Sequence, residues 1–593
     1  MTLEIGFILS IIAIAIVLFA TEKLRVDVIA MLVLLTLALS GIITPTEAFS
    51  GFSSPAVITV WSVYIVSAGL AKTGITDILG EHIIRIAGNS EPRLIAMIML
   101  TCGSMSAFMN NIGAVAVLLP AVAGISRQSK IPLSRLLIPL SFSSLMGGNM
   151  TLIGTPPNVL ASNILSERGL PSFDFFDFTP LGVIVFGTGI LYMVFIGRHL
   201  LPKNEPLEQK SLSRLREYIS EIRVPDDSPL AEKTLIESRL GEEYDLSVLS
   251  IIRRDTVKVL PLPDMRIRAG DLLTVEGTIE QLLRVRNELG LHTELEHKLD
   301  INSLDSEDTH VFEAALAPRA RIAGNTLREI EFRDRYGLTA LAIWRQGEVI
   351  TERLRDVRLR FGDTLLFQGS RRRIASLQDN GDFLVLEPVE LDSRRKNKLF
   401  IAMGISAMVL ALVTLGGFDI ATAMLIGAMG MVLTGCLKMD EAYQSIEWRS
   451  VFLIAGMLPL GLAMEGTGTA RFLADQIVTA IGVWGPLAIL AGIMIFAGLV
   501  TEPMSNAAAT VLMVPIAIDI ALGLNASPQA FVLATVIGAS TSFLTPVGHQ
   551  ANVLVMGPGG YRFFDYTRVG FLLNVLIILV TILALPIFWP LMP

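Results

Sequence analysis

Cysteine is almost missing from this chain: Cys102 and Cys436 are the only two in 593 residues, both in apolar segments far apart in sequence. That excludes a disulfide framework and a cysteine-based metal site, and leaves both as small core residues. Charge is scarce too, at 17% of residues, and most of it is confined. Residues 201–397 hold 31 of the 47 Lys+Arg and 36 of the 55 Asp+Glu. No basic stripe interleaved with aromatics occurs, so no nucleic-acid partner is expected. No nucleophile–base pair or metal-ligand cluster is visible, which argues against an enzyme.

What is present is apolar. Hydrophobic residues make up 52% of the chain and mean hydropathy is +0.60. Runs such as FILSIIAIAIVLFA (7–20) and VIAMLVLLTLALSGI (28–42) carry no charge, and stretches near 20 apolar residues have bilayer length. The first run lacks a basic leader region and a small-residue cleavage site, so it reads as a retained span. The expected organisation is a first transmembrane repeat over 1–200, two soluble domains over 201–300 and 301–397, and a second transmembrane repeat over 398–593. Basic residues in short loops mark the cytoplasmic side. Lys23, Arg25, Arg85, Arg93, Arg127, Lys130, Arg135, Arg198, Lys203 and the Arg394–Lys398 cluster fit one topology. The N-terminus lies outside, residues 92–126 form a re-entrant hairpin from the cytoplasm, and the insert 201–397 is cytoplasmic in a multi-pass inner-membrane protein.

An internal repeat supports two related halves. GLAKTG (69–74) recurs as GLAMEG (461–466), MNNIGAVAVLLP (109–120) as MSNAAATVLMVP (504–515), and TLIGTPPNVL (151–160) as TPVGHQANVL (545–554). Three motifs keep their order at nearly one spacing, a register that chance likeness between apolar segments would not hold. Lys438, Arg449, Arg562 and Arg568 fall inside if 485–523 is a hairpin entering from the opposite face, which makes the halves inverted repeats. The insert has its own repeat. Thr234-Leu235, Tyr244, Arg253, Gly270-Asp271 and Gly277 recur at Thr326-Leu327, Tyr336, Arg345, Gly362-Asp363 and Gly369. Each copy reads as a helix entered at Thr-Leu, a strand (LSVLSIIR; LTALAIWR), a Gly-Asp turn and a second strand (LLTVEG; TLLFQG).

At membrane depth, backbone that leaves the helix must be buried in protein or line a cavity, so the polar breaks are informative. Asn110-Asn111 and Ser505-Asn506 sit at the centres of apolar hairpins. Gly147-Gly148 and Gly154-Thr155-Pro156-Pro157-Asn158 interrupt one apolar helix; Pro546 and Gly548 through Asn552 interrupt another. A lone Asn in a membrane helix is ordinarily an interhelical hydrogen bond. Recurrence at matching places in both halves points instead to a site assembled from equivalent broken segments. Hard cations take carbonyl, amide and hydroxyl oxygens, and an anion suits the N-terminal ends of broken helices. Glu502, beside the second tip, and His549, in the second break, are the ionisable residues at membrane depth that bear on function; Glu465 and Asp519 fall near span ends.

MNNIGAVAVLLP followed by TLIGTPPN, with the SerAsn hairpin and PVGHQAN in the second half, resembles the divalent-anion/sodium symporter family across both membrane blocks. The resemblance implies a homodimer that carries dicarboxylates, citrate or sulfate by an elevator movement. It places one sodium site on Ser106, Asn110, Asn111 and Gly154, and another on Thr501, Ser505, Asn506 and Gly548. It places the anion among Asn110, Asn111, Thr155, Asn158, Ser505, Asn506, His549, Gln550 and Asn552. The family's third tip position is a hydroxyl and here is Ile112 and Ala507; its second Thr-Pro-Pro is here His549-Gln550-Ala551. Those departures favour a compact tetrahedral anion held by backbone amides and by His549 or Gln550. The insert copies resemble the C-terminal ligand-binding domain of potassium-channel regulators (RCK and TrkA type), which implies dimerisation and a small regulatory ligand.

The sequence therefore leads to a polytopic α-helical membrane protein with inverted repeats, two re-entrant hairpins and broken helices, interrupted by a cytoplasmic tandem of small α/β domains. The expected activity is Na⁺-coupled symport of a small divalent anion, sulfate first, with H⁺ as the alternative coupling ion and dicarboxylate or citrate as the alternative cargo. A gated channel, a cation/proton antiporter and a transport-like sensor remain open. Antiporters ordinarily bury a carboxylate in the break itself, and these breaks offer Asn, Thr, His and Gln.

Overall fold

The computed structural model describes residues 2–21, 24–74, 88, 90–202, 219–244, 246–253, 257–259, 264–276, 281, 284–285, 288–289, 292–293, 310–317, 320–345, 348–350, 354–369, 373, 377, 381–386, 395–481 and 485–591. Lys23, Arg85, Lys203, Gly277, Arg394 and the boundary at 300/301 lie outside the described residues. The chain divides into two compact units, Met1–Lys203 with Glu390–Pro593, and Asn204–Val389.

Among its described residues the first unit has helices and no strand. Its first half runs α1 (Leu3–Thr21), α2 (Val26–Leu39), α3 (Pro45–Ser50), α4 (Pro55–Lys72), α5 (Glu91–Ser106), α6 (Asn111–Ser129), α7 (Leu137–Gly148), α8 (Pro156–Glu167) and α9 (Thr179–Tyr192). The second half runs α10 (Leu399–Thr414), α11 (Ile420–Leu433), α12 (Met439–Ser445), α13 (Trp448–Gly466), α14 (Thr469–Ile481), α15 (Pro486–Thr501), α16 (Asn506–Gly523), α17 (Pro528–Ser540), α18 (Gln550–Met556) and α19 (Phe563–Phe588), the same series apart from α14, which has no counterpart among the described residues. Among the described residues, six helices are long and apolar enough to cross a membrane. Outward-facing apolar side chains such as Leu3 (95% exposed), Phe400 (82%) and Ile587 (75%) suit lipid, where apolar surface costs nothing to display.

Packing weaves the halves together. Helix α2 lies on α13 and α4 on α11, while α9 runs beside α19. The broken helices pack across the repeat, α8 on α16 and α18 on α6. Small residues allow the close approaches: a Cβ on Gly147 would lie 2.3 Å from the Gly103 carbonyl oxygen, and one on Gly51 would lie 2.1 Å from that of Ala455. Cys102 and Cys436 are free and buried.

Among its described residues the second unit holds two five-stranded antiparallel sheets of one topology. Strands β1 (Ile219–Arg223), β2 (Ser247–Arg253), β3 (Val257–Val259), β4 (Leu272–Glu276) and β5 (His292–Thr293) are ordered β3-β2-β4-β1-β5. Strands β6 (His310–Leu316), β7 (Thr339–Arg345), β8 (Glu348–Ile350), β9 (Thr364–Gly369) and β10 (Phe383–Val385) are ordered β10-β6-β9-β7-β8, the same arrangement read from the other end. The helix expected at Thr-Leu is a correction. Thr234 and Thr326 instead open a single turn closed by a capping box, with Glu237 N donating to Thr234 Oγ1 (3.2 Å) and Glu329 N to Thr326 Oγ1 (3.1 Å). Arg239 (φ +50°) and Glu331 (φ +47°) then enter left-handed backbone, which a continuing helix cannot accommodate. Helix resumes only at Leu240–Glu243 and Phe332–Tyr336.

The Gly-Asp turns anchor each sheet. Gly270 (φ +83°) and Gly362 (φ +91°) take the left-handed backbone that favours glycine. The aspartate that follows is buried and bidentate to the strand arginine. Arg345 Nε and Nη2 reach Asp363 at 2.8 and 2.7 Å, and Arg360 N donates to the same carboxylate at 2.7 Å; Arg253, Asp271 and Arg268 repeat this. Removing one partner of a buried pair costs about 3 kcal/mol or more. Asp363→Ala is therefore expected to lower the urea midpoint at which this unit unfolds, followed by strand-specific proteolysis, while Asp356→Ala, at a half-exposed pair, leaves it unchanged.

Candidate functional site

Both hairpins are built alike. Helix α5 ends at Ser106, the chain turns, and α6 starts at Asn111 with Asn110 as its cap, whose Oδ1 accepts from Ile112 N at 2.8 Å. Helix α15 ends at Thr501 and α16 starts at Asn506, capped by Ser505, whose Oγ accepts from Ala508 N at 3.3 Å. The first residue of each returning helix faces back onto the last of the one before it. Ser106 Oγ lies 2.7 Å from Asn111 Oδ1 and 2.8 Å from Ser144 O. Thr501 Oγ1 lies 2.9 Å from Asn506 Oδ1 and 2.7 Å from Ala539 O.

The helix breaks close on these pairs. Between α7 and α8 the chain unwinds at Asn149–Thr155 and restarts with Pro156, a residue that needs no amide partner at the first helical position. Asn158 Nδ2 braces the unwound stretch by donating to Gly148 O (3.1 Å) and Thr151 O (2.7 Å), while Thr151 Oγ1 donates to Ala107 O. Asn552 Nδ2 does the same for the second break, to Ser542 O (2.8 Å) and Thr545 O (3.3 Å). Gly148 and Gly154 fit closely: a Cβ on Gly148 would meet Asn111 Oδ1 at 2.6 Å, and one on Gly154 would meet Gly148 O at 2.4 Å. The first half thus brings Ser106, Asn111, Gly148 and Gly154 into pairwise contact in a buried place, with hydroxyl, amide and carbonyl oxygens and side chains that carry no formal charge. That donor set suits a hard monovalent cation.

In the second half Thr501 and Asn506 meet in the same way, and Gly548 lies against Glu502, Ser542 and Thr545. Ser542 Oγ donates to Asn506 Oδ1 at 2.8 Å. Glu502 is a buried carboxylate that accepts from Leu544 N (2.9 Å) and Thr545 Oγ1 (2.8 Å), and its Oε2 would lie 2.8 Å from a Cβ on Gly548. It braces the break opposite the hairpin tip. Ser542 and Thr545 went unread in the sequence, although Ser542 aligns with Gly148 and Thr545 with Thr151 in the repeat that was already visible.

Thr155 and His549 hold the same extended backbone (φ −144°, ψ 143° and φ −149°, ψ 140°) at the starts of α8 and α18. The Thr155 side chain makes no cap bond. His549 Nδ1 accepts from Ala551 N at 3.1 Å, so a neutral ring carries its proton on Nε2 and can donate with it. Gln550 is the first residue of α18. A cavity of about 370 Å³ lies beside the first half, lined by Ser162, Asn163, Phe173, Asp174, Phe418 and Asp419 among others. A much smaller void of about 10 Å³ is lined by Asn110, Gly154 and Tyr64 and shares Val159 with it. Glu465 and Asp519, read as span-end residues, both pair with Arg168, at 3.3 and 2.6 Å.

A family model described as "Citrate transporter" matches residues 16–538. An uncharacterised transporter of Synechocystis sp. is 38% identical over 100% of this chain and 98% of its own length. Sodium/sulfate cotransporter 1 of Chlamydomonas reinhardtii is 21% identical over 94% of this chain and 87% of its own. A solved structure, the GsuK RCK domain, aligns with 27% of this chain and 62% of its own at 14% identity and a TM-score of 0.14, a likeness too weak to argue a shared fold.

Proposed function

The chain belongs to the citrate transporter family and is a multi-pass secondary transporter, and from that premise we propose that it carries a small divalent anion, sulfate before dicarboxylate, in symport with Na⁺. The observation that supports this reading most is the matched pair of oxygen sets, Ser106–Asn111–Gly148–Gly154 and Thr501–Asn506–Ser542–Gly548, each made by a hairpin tip and a broken helix. Two such sites suit two Na⁺ ions. The anion lies between the N-terminal ends of α8 and α18, at Thr155, His549 and Gln550. Ile112 and Ala507 at the tips supply no hydroxyls for a second carboxylate, and the sodium/sulfate cotransporter among the relatives agrees with the choice of sulfate. Citrate, in the family's description, is the competing cargo.

The halves are inverted, the hairpins re-entrant, and a homodimer moves the anion by an elevator motion. The insert is cytoplasmic and regulatory; its Thr-Leu, strand-Arg and Gly-Asp pattern, now seen as an Arg–Asp anchor in each of two equivalent sheets, suits the RCK C-terminal type and a small ligand. Uptake of labelled sulfate into proteoliposomes tests the transport reading. Uptake is expected to require an inward Na⁺ gradient and to fall more with excess unlabelled sulfate than with succinate or citrate. Uptake indifferent to Na⁺, or stronger competition from the carboxylates, overturns the coupling ion or the cargo respectively.

A further inference from the structure

Asn552 differs from its repeat mate Asn158 at one atom. Both use Nδ2 to brace a helix break, but Asn158 Oδ1 is buried with no hydrogen-bond partner among the described residues. Asn552 Oδ1 accepts from Ser141 Oγ at 2.6 Å, a bond that crosses from α7 of one half to α18 of the other. Thr535 stands where Ser141 would stand in the second half, and it turns its hydroxyl back to Phe531 O at 2.7 Å. The link therefore runs one way only.

Each end of that link reaches a hairpin tip. On the first side, Ser144 Oγ donates to Ser141 O at 2.7 Å, and Ser144 O is one of the two acceptors within reach of Ser106 Oγ. A hydroxyl has one proton, so Ser106 serves either Ser144 O or Asn111 Oδ1. A cation held by Asn111 Oδ1 and the Ser106 lone pairs sends the proton to Ser144 O. On the second side, Asn552 Nδ2 holds Ser542 O, and Ser542 Oγ donates to Asn506 Oδ1. Every group along this route is buried, where hydrogen bonds polarise their neighbours and an unmade one is costly.

We propose that Ser141 is a positioning residue that couples the two cation sites, because its bond to Asn552 joins the helix turn that answers Ser106 to the break that holds Asn506. The proposal rests on the reading of the two oxygen sets as Na⁺ sites. Filling the first site commits the Ser106 proton to Ser144 O and fixes the turn that carries Ser141. Ser141 then holds Asn552, and through Ser542 the second site is preset.

The test is equilibrium binding of radiolabelled Na⁺ to the purified full-length protein in detergent, with no anion present. The unaltered protein is expected to bind two Na⁺ with a Hill coefficient above one, the first ion tightening the second by about 5-fold or more. Ser141→Ala is expected to bind the same number with a Hill coefficient near one, and Ser141→Thr to recover the steepness. Ser143→Ala, on the same helix but bonded within the first half, to Leu140 O and to Cys102, is expected to match the unaltered protein. If Ser141→Ala does not yield folded protein, Ser141→Cys, a weak donor of similar shape, is expected to give an intermediate Hill coefficient. Unaltered steepness in Ser141→Ala or Ser141→Cys, or non-cooperative binding by the unaltered protein, overturns the proposal. If Asn111→Ala and Asn506→Ala each fail to lower the number of Na⁺ bound, it is the site reading that is wrong. If they do lower it while Ser141→Ala stays steep, only the coupling is wrong.

Discussion

Asn506→Ala is expected to reduce Na⁺-dependent uptake at least about 100-fold, and Asn111→Ala to do the same, with both proteins still incorporated into proteoliposomes. Loss of even an outer-shell partner of a metal ligand typically costs 10–100-fold in affinity, and these amides are proposed as ligands themselves. Asn506 Oδ1 is where the Thr501 and Ser542 hydroxyls meet; without it the buried Ser542 hydroxyl loses its acceptor, Thr501 keeps Ala539 O, and a dehydrated ion loses an oxygen. The hydrogen-bond loss alone is worth about 1–3 kcal/mol, which weakens the fold without abolishing it. Ser505→Ala separates the two effects. Its hydroxyl caps α16 through Ala508 N, so about 1 kcal/mol of helix stability is at stake, and uptake is expected to fall by much less. Initial rates measured against Na⁺ concentration distinguish these outcomes, and normal rates in both Asn variants would remove the basis for the site.

How far the sequence alone leads is clearest at the hairpins. An apolar stretch with Asn at its centre and Pro further along, at Pro120 and again at Pro515, put helical arms on either side of Asn111 and Asn506, and the structure turns at 107–110 and 502–505. The repeat made this legible, because an unpaired polar residue in such a run is expensive and its recurrence needs a shared cause. Residues brought in from distant segments were not legible. Ser141 meets Asn552 across 411 residues, and no local pattern distinguishes it from Ser143 or Ser144 on the same helix. The insert shows the opposite failure. A Thr-x-x-Glu start reads as a helix N-terminus, yet here it closes one turn before Arg239 and Glu331 reverse the backbone. The Arg–Asp anchor, by contrast, was visible as two residues kept at constant spacing, without the reason for it.

Gly148→Ala is expected to abolish cation-dependent uptake while leaving the second half of the site unchanged. Gly148 has no side chain where its repeat mate Ser542 places a hydroxyl on Asn506, and the Asn111 amide packs directly against it. A methyl there would lie 2.6 Å from Asn111 Oδ1 and 3.3 Å from Asn111 Nδ2 and from Gly154 O, so it occupies the point on which the oxygens converge. The closest clash is with the end of the Asn111 side chain rather than with backbone, so the amide has to shift, and the shift breaks its contact with Ser106. An apolar group replacing a cation leaves those oxygens facing carbon, the outcome that buried polar groups pay most for. Gly113→Ala is the matched control, since a Cβ there meets nothing closer than the Met109 methyl at 3.7 Å. Gly148→Ser puts the same Cβ against Asn111 Oδ1 and is expected to lose the ion as well. Radiolabelled Na⁺ binding by the three variants decides it: one ion fewer for Gly148→Ala and for Gly148→Ser, and the full number for Gly113→Ala.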